Sequence, residues 1–318
     1  MPRRALISLI LKVSGNVNAD MGVGTRIPLK KIVTWDQKIK PFVSARNIRR
    51  CIREKLYERF QRGEKEFNID PLQLIGPEGK EQLGDIGDPV EYVDDDLFGF
   101  LRPEEVPVRR IGPVRISHLI SLRHAEVRVE FAGRFARDFL PEYEEQFPVP
   151  FEIELAEWLG KLDVIVSDRV GRFAKSELTE DVKKKLGGEL SLSLDMRKKR
   201  LSGFLEVLLW EGWEFPRGAQ SPSVPDYHYA IVALTERFIP IFGFVDITEE
   251  GELNMQRIDD VRSIYGSLID ELIVLNYKKP NYSIYRQERK ELRLSREGRL
   301  EEAVIREIIK DVCDYVVR

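Results

Sequence analysis

The chain has 318 residues, a formal net charge of −3, 42% apolar and 33% charged side chains, and two cysteines. A chain of this size buries about 75% of its unfolded surface without staples, and its length suits about two domains, or one with large insertions. The composition excludes a cystine scaffold, a C-x-x-C zinc module, a collagen-like or disordered chain, and an apolar run near the roughly 18 residues of a membrane helix.

Arg3-Arg4 and the apolar run Ala5 to Leu11 resemble a targeting signal only in outline. Lys12 ends the run and no A-x-A site follows, so the expectation is a cytoplasmic protein with a buried first strand at 5–13. A Gly/Asn-rich loop over 14–31 and a short strand at 41–43 come next. Ser44 is placed to cap a helix running to about Arg62 and closed by Gly63. On that helix Ile48, Ile52, Leu56 and Phe60 form one stripe, while Arg46, Arg49, Arg50 and Arg53 gather on another face.

Residues 63–105 are rich in Gly, Pro and acid and predict an irregular insertion whose apolar DLFGFL block (96–101) docks on the body. Alternation around Gly112-Pro113 predicts an arginine-bearing hairpin over 106–122. Strands are expected at 124–131, 147–155, 162–167 and 240–247. Helices are expected at 195–211, 253–275 and 298–316. Arg197, Lys198, Lys199 and Arg200 fall in the first turn of the 195–211 helix, against its dipole, which points to an external reason for the cluster.

Charge is segregated. Residues 1–62 hold 15 Lys and Arg against four acids, a balance of +11, and the remainder carries −14. Residues 63–105 hold 13 acids and three bases, and 108–137 hold seven arginines against Glu126 and Glu130. A near-neutral total is compatible with a polyanion partner when the positive charge is collected in one place. The competing reading is that the arginine face pairs with the acidic insertion.

No phosphate-binding G-x-x-x-x-G-K-[ST] and no strand-linked G-x-G-x-x-G is present. Asp94, Asp95 and Asp96 offer a divalent-cation site, against the commoner reading of an acidic surface loop. His118 and His124 read as strand-edge residues, Ser117 lacks a neighbouring base, and Cys51 reads as a core thiol. What survives is nucleic-acid binding: arginine forks suit phosphate oxygens, and Asn16 and Asn18 add donors to sugar or phosphate.

Three blocks then occur together and in order. They are LISLILKVSGNVNADMG (6–22), PFVSARNIRRCIREKL (41–56), and DLFGFL (96–101) followed by RRIGPVRISHLISL (109–122). The second holds an S-x-[QR]-x-[LI]-[KR]-[RH] pattern on Ser44, Arg46, Ile48, Arg49 and Arg50. Together with the later arginine-rich helix and RGAQSPSVPDY (217–227), they cover most of residues 5–240. The chain resembles the Cascade backbone subunit of type I CRISPR systems, in the DevR branch of the RAMP superfamily.

The resemblance implies an α+β fold: a modified ferredoxin-like (RRM-type) palm with inserted finger, thumb and web elements. Residues 1–62 would be the first part of the palm with its RNA-binding helix, and 63–105 an acidic finger-type insertion. Residues 106–123 would be the thumb hairpin, and 124–318 the rest of the palm, the web and the C-terminal helices. It implies a crRNA-binding, non-catalytic subunit that polymerises as a helical filament along the guide and presents it to target DNA. Its partners would be crRNA, further copies of itself and other Cascade subunits, with no cofactor, metal or membrane. The crRNA-binding residues would be Asn16, Asn18, Lys30, Lys31, Ser44, Arg46, Arg49, Arg50 and Arg53, with Arg109, Arg110 and Arg115 on the thumb. The alternative is a metal-dependent endoribonuclease cutting target RNA through Asp20. Strand 5–13 lacks the aromatics on which a classical RRM stacks bases, so recognition is expected through backbone and shape.

Overall fold

A computed structural model describes residues 2–17, 24–76, 79, 81–102, 107–134, 149–215 and 224–318. In chain order the first elements are β1 (Arg4–Gly15), β2 (Arg26–Ile27), β3 (Lys31–Val33), β4 (Ile39–Val43) and α1 (Ala45–Gln61). The insertion follows with β5 (Gln73–Ile75), β6 (Gln82–Gly84), α2 (Val93–Phe98), β7 (Gly99–Arg102) and β8 (Val108–Ile111). Next come β9 (Val114–Ile116), β10 (Leu119–Ser121), β11 (Arg128–Arg134), β12 (Val149–Ser167), α3 (Glu180–Lys185) and α4 (Leu194–Glu206). The chain closes with β13 (Asp226–Thr235), α5 (Met255–Tyr265), β14 (Glu271–Asn276), β15 (Asn281–Glu288), β16 (Glu291–Arg299) and α6 (Glu302–Val316).

The main sheet runs β16-β15-β14-β13-β1-β12-β10-β4-β3. Its centre is the β-α-β-β-α-β palm of ferredoxin-like proteins. β1 lies between β12 and β13, antiparallel to both, and β9 and β10 pair on the far side of β12. α1 follows β1, and α4 lies between β12 and β13.

β1 is buried on both faces, as its apolar run over 5–11, interrupted only by Ser8, leads one to expect. Ala5, Ile7, Leu9, Leu11 and Val13 face a core shared with α1, α4 and α6. Leu6 and Ile10 face a second core closed by α5 and residues 239–253. The face on which an RRM exposes base-stacking aromatics is therefore covered here over β1 and β13.

Ser44 caps α1 as its residue type demands, accepting from the Asn47 N–H, and the helix ends beside Gly63 with φ of +102°. Ile48, Ile52 and Leu56 are the buried stripe. The DLFGFL block docks, with Leu97, Phe98 and Phe100 buried.

Several sequence expectations are corrected. Residues 106–122 are not one hairpin: β8 pairs with β7 in a separate two-stranded sheet, whereas β9 joins β12 in the main sheet. Gly99 and Gly112 make this possible, because a Cβ on either would overlap the other's backbone neighbourhood. The two strands expected within 147–167 are a single strand of 19 residues. Residues 241–244 form a 3-10 turn rather than a strand, with Ile241 and Val245 pointing into the second core.

The helix expected over 253–275 stops at Tyr265, and its apolar tail ELIVLN is β14 paired with β13. α4 gives way to one π turn over Val207–Glu211. The 63–105 insertion contains a hairpin, a helix and a strand, and Asp70, Asp88, Asp94, Asp95 and Asp96 inside it are buried rather than on a surface loop. No helix among the described residues is long and apolar enough to cross a membrane.

Candidate nucleic-acid interface

The first half of α1 carries the basic face. Arg46 is exposed, with no carboxylate partner among the described residues. Arg49 is half-buried, and its Nε makes only a long bond, 3.4 Å, to the Ala45 carbonyl. Burial pushes its guanidinium pKa down, and the nearby charges of Arg53 and Arg46 push it further. Arg50 is exposed and reaches Glu54 at 2.9 Å, the loose i,i+4 pairing of a helix surface.

The first turn contains no acid, so the helix N-terminal dipole adds to the cationic field. The Ala45 N–H is taken by His118 Nδ1 at 2.8 Å, which ties the helix start to the loop between β9 and β10. Arg46 and Arg49 are crowded here with no carboxylate partner among the described residues, an arrangement that a row of phosphates would relieve.

Other predicted contacts are spent inside the fold. Arg53 donates to Asp94 at 2.8 Å and lies over the Phe98 ring, so here the acidic insertion does pair with the helix. Asn16 is buried, and its amide donates to the Glu154 carbonyl at 2.7 Å. Lys31 pairs with the buried Glu154 carboxylate, which also accepts from the Leu29 N–H and Arg26. Burial opposes that carboxylate's charge, but these donors hold its pKa below the usual range. Lys30 is half-buried and has no ion-pair partner among the described residues. Asn18 and Asp20, and most of the RGAQSPSVPDY segment, lie outside the described residues.

The three thumb arginines part company. Arg109 and Arg115 are exposed, with no carboxylate partner among the described residues. Strand alternation sets Arg115 on the opposite face of the sheet from Val114 and Ile116, which pack beneath α1. Arg110 is a correction. Its side chain is fully buried, 2.8 Å from Asp96 and 2.9 Å from Glu177, and donates to the carbonyls of Asp96, Arg169 and Arg172.

Arg200 joins the same cluster through Asp96 at 3.1 Å, and Arg197 donates to the Val170 and Asp168 carbonyls. Lys198 pairs with Asp314, and Lys199 with Asp195 at 3.3 Å. The α4 cluster therefore has an internal reason, not an external one. Cys51 is the core thiol its position predicted, with burial pushing its pKa up to about 12.

For a metal, the residues brought together are Asp70, Asp85 and Asp95, whose carboxylate oxygens lie within 4.8 Å of one another. Burial, with Asp94, Asp70 and Asp85 nearby, pushes the Asp95 pKa up to about 9, so Asp95 holds a proton at neutral pH. A cavity of about 540 Å³ lies instead at the root of the β11–β12 ribbon, lined by Ser14, Glu126, Arg128 and Glu157.

Sequence reasoning missed two exposed features. One is that ribbon: β11 pairs with Val149–Leu155 of β12, beyond the Ala156–Ser167 stretch that pairs with β1, and it exposes Val129 and Phe131. The other is Trp35, at the tip of the β3–β4 hairpin. An isolated tryptophan between lysines was its only sequence signal.

The structure is thus a ferredoxin-like palm with an inserted segment and a basic helix beside its sheet. The chain belongs to the DevR/Csa2 family: the family described as "CRISPR-associated negative auto-regulator DevR/Csa2" matches residues 18–244. No curated protein matches it in sequence. Among solved structures, it is similar to a chain of a "CRISPR RNA-guided surveillance complex, pre-nicking". The TM-score is 0.57 at 13% identity, covering 97% of this chain and 100% of that one. It is also similar to a chain of a "CRISPR RNA-guided surveillance complex", with TM-score 0.53 at 14% identity over 97% and 99%. At these identities the likeness is one of fold.

Proposed function

We propose that the chain is the crRNA-binding backbone subunit of a type I CRISPR surveillance complex, a scaffold rather than an enzyme. Copies line up along the guide RNA, hold its backbone, and leave its bases to pair with target DNA. Sequence reading then belongs to base pairing, and backbone shape to the protein, a division known for another CRISPR effector.

The observation that carries this reading is the pair Arg46 and Arg49 on the basic face of α1, Arg46 without a carboxylate partner among the described residues and Arg49 crowded by its own kind. Family membership and the fold of chains from RNA-guided surveillance complexes support it. The projecting β11–β12 ribbon suits a thumb-like arm reaching the next copy better than residues 106–123 do. Seven strand residues at about 3.3 Å each extend it roughly 23 Å past the palm.

The test is binding of a synthetic crRNA as a function of salt. Arg46→Ala and Arg49→Ala together are expected to lower the log–log salt slope by about 0.7 for each phosphate the variant no longer neutralises. An unchanged slope in a folded double variant refutes the assignment.

A further inference from the structure

We propose that the tip of the β3–β4 hairpin is a stacking platform for an unpaired nucleobase, with Trp35 as the stacking side chain. The proposal rests on the nucleic-acid reading above and adds a residue outside the arginine face, of a different chemistry.

Trp35 is 93% exposed, more than any other large apolar side chain among the described residues. The other three tryptophans are engaged: Trp158 and Trp213 are buried, and Trp210 lies under the Arg306 guanidinium at 4.4 Å. The exposure of Trp35 is not that of a fraying end. The Thr34 N–H donates to the Lys38 carbonyl at 3.0 Å, the Gln37 N–H to the Thr34 carbonyl at 2.9 Å, and the Thr34 hydroxyl to Lys38 O at 3.1 Å.

Lys38 pairs with Asp36 at 2.9 Å, and Gln37 is held at φ of +59°, a region that ordinarily favours glycine. The hairpin base is anchored as well. Lys40 Nζ donates to the Leu122 carbonyl at 3.0 Å, and β4 pairs with β10. The turn is thus an organised device that holds an indole out into water, at a hydrophobic cost the fold itself does not recover.

The surroundings select the ligand. Residues 30–40 hold four lysines against one aspartate, a field that attracts a polyanion. Trp35 is solvent-exposed, and so is the cross-strand pair that ends the hairpin ladder, Val33 and Ile39. A flat ring with an open face and cations nearby suits a base with a free π-face. A base inside a duplex is already stacked on both sides, so the ligand must be unpaired.

β4 leads from this turn directly into Ser44 and α1. Its five residues span about 17 Å at 3.3–3.4 Å each. One short single strand can therefore lie on the arginine face and reach the indole.

The test uses the full chain and Trp35 fluorescence. The probes are a short oligouridine RNA, the matching single-stranded DNA and a duplex of equal length, with binding followed independently by anisotropy. Stacking predicts that both single strands quench the exposed indole and shield it from acrylamide, while the duplex does not. Trp35→Ala should abolish the quench and weaken binding on the order of tenfold, leaving the salt slope unchanged, and Trp35→Phe should keep most of the affinity. Arg46→Ala with Arg49→Ala should do the reverse, lowering the slope and keeping the quench.

Binding with unaltered Trp35 emission, or equal quenching by duplex, overturns the stacking proposal alone. Shielding of Trp35 on raising protein concentration without nucleic acid overturns it in favour of a contact between copies. Absence of any binding overturns the nucleic-acid reading beneath it.

Discussion

Replacing Asp96 tests whether the insertion is locked to the palm by buried charge. Asp96 is fully buried in the first turn of α2. It accepts from Arg110 Nη2 at 2.8 Å, Arg200 Nη1 at 3.1 Å and the Gly171 N–H at 3.0 Å. The two arginine side chains are 0% and 2% exposed. In Asp96→Ala, Arg110 keeps only Glu177 as a counter-charge, and Arg200 keeps only the Pro89 and Val90 carbonyls.

Breaking a buried pair by removing one partner costs about 3–5 kcal/mol, because the remaining charge cannot return to water. With an unfolding entropy of about 2.1 cal/mol/K per residue, 318 residues give about 0.7 kcal/mol/K, so the thermal midpoint should fall by about 4–8 °C. Scanning calorimetry and urea unfolding read both quantities. Asp96→Asn, which keeps an acceptor, should lose less. Asp96→Ala combined with Arg200→Met should cost less than the sum of the single losses. A loss below about 1 kcal/mol in Asp96→Ala, or strict additivity in the pair, refutes the argument that these charges hold one another.

Three further outcomes follow from the same geometry. Asp95 keeps its proton in the folded protein up to about pH 9, whereas an ordinary aspartate releases it near 3.8. The folded state binds more protons between those values, so this group's contribution to stability falls as pH rises through that window. Asp95→Asn should flatten that part of the urea-midpoint profile and raise stability at pH 8. Gly99→Ala should lower the thermal midpoint, since φ of +79° and the Arg110 carbonyl both exclude a Cβ; an unchanged midpoint would show that β7 and β8 can separate. Arg109→Ala should leave the melting temperature unchanged, while Arg110→Ala should lower it sharply; equal midpoints would contradict the burial of Arg110.

Much of this protein was legible along the chain because the relevant signals are local. The apolar run of β1, interrupted only by Ser8, marks a strand buried on both sides. Ser44 and Gly63 mark the two ends of α1, and its 3.6-residue period separates Ile48, Ile52 and Leu56 from the arginines. The co-occurrence of three motif blocks pointed to the family and the palm fold.

What remained hidden depends on partners distant in sequence. Arg109, Arg110 and Arg115 look alike in one short segment. Yet Arg110 is buried because Asp96, Arg169, Arg172 and Glu177 meet around it, and β8 turns back to β7 only because two glycines permit the approach. The charge of the α4 arginines was readable; that it is answered internally by Asp96 and two stretches of backbone carbonyls was not.

The sequence by itself determined the central strand and the capped basic helix, whose periodicity and capping act within a few residues, and it pointed to the palm through the resemblance its motif blocks carry. Only the tertiary structure decided which cations face water and which are consumed. That choice is set by long-range burial, where an ion pair forms or fails according to which distant backbone it meets.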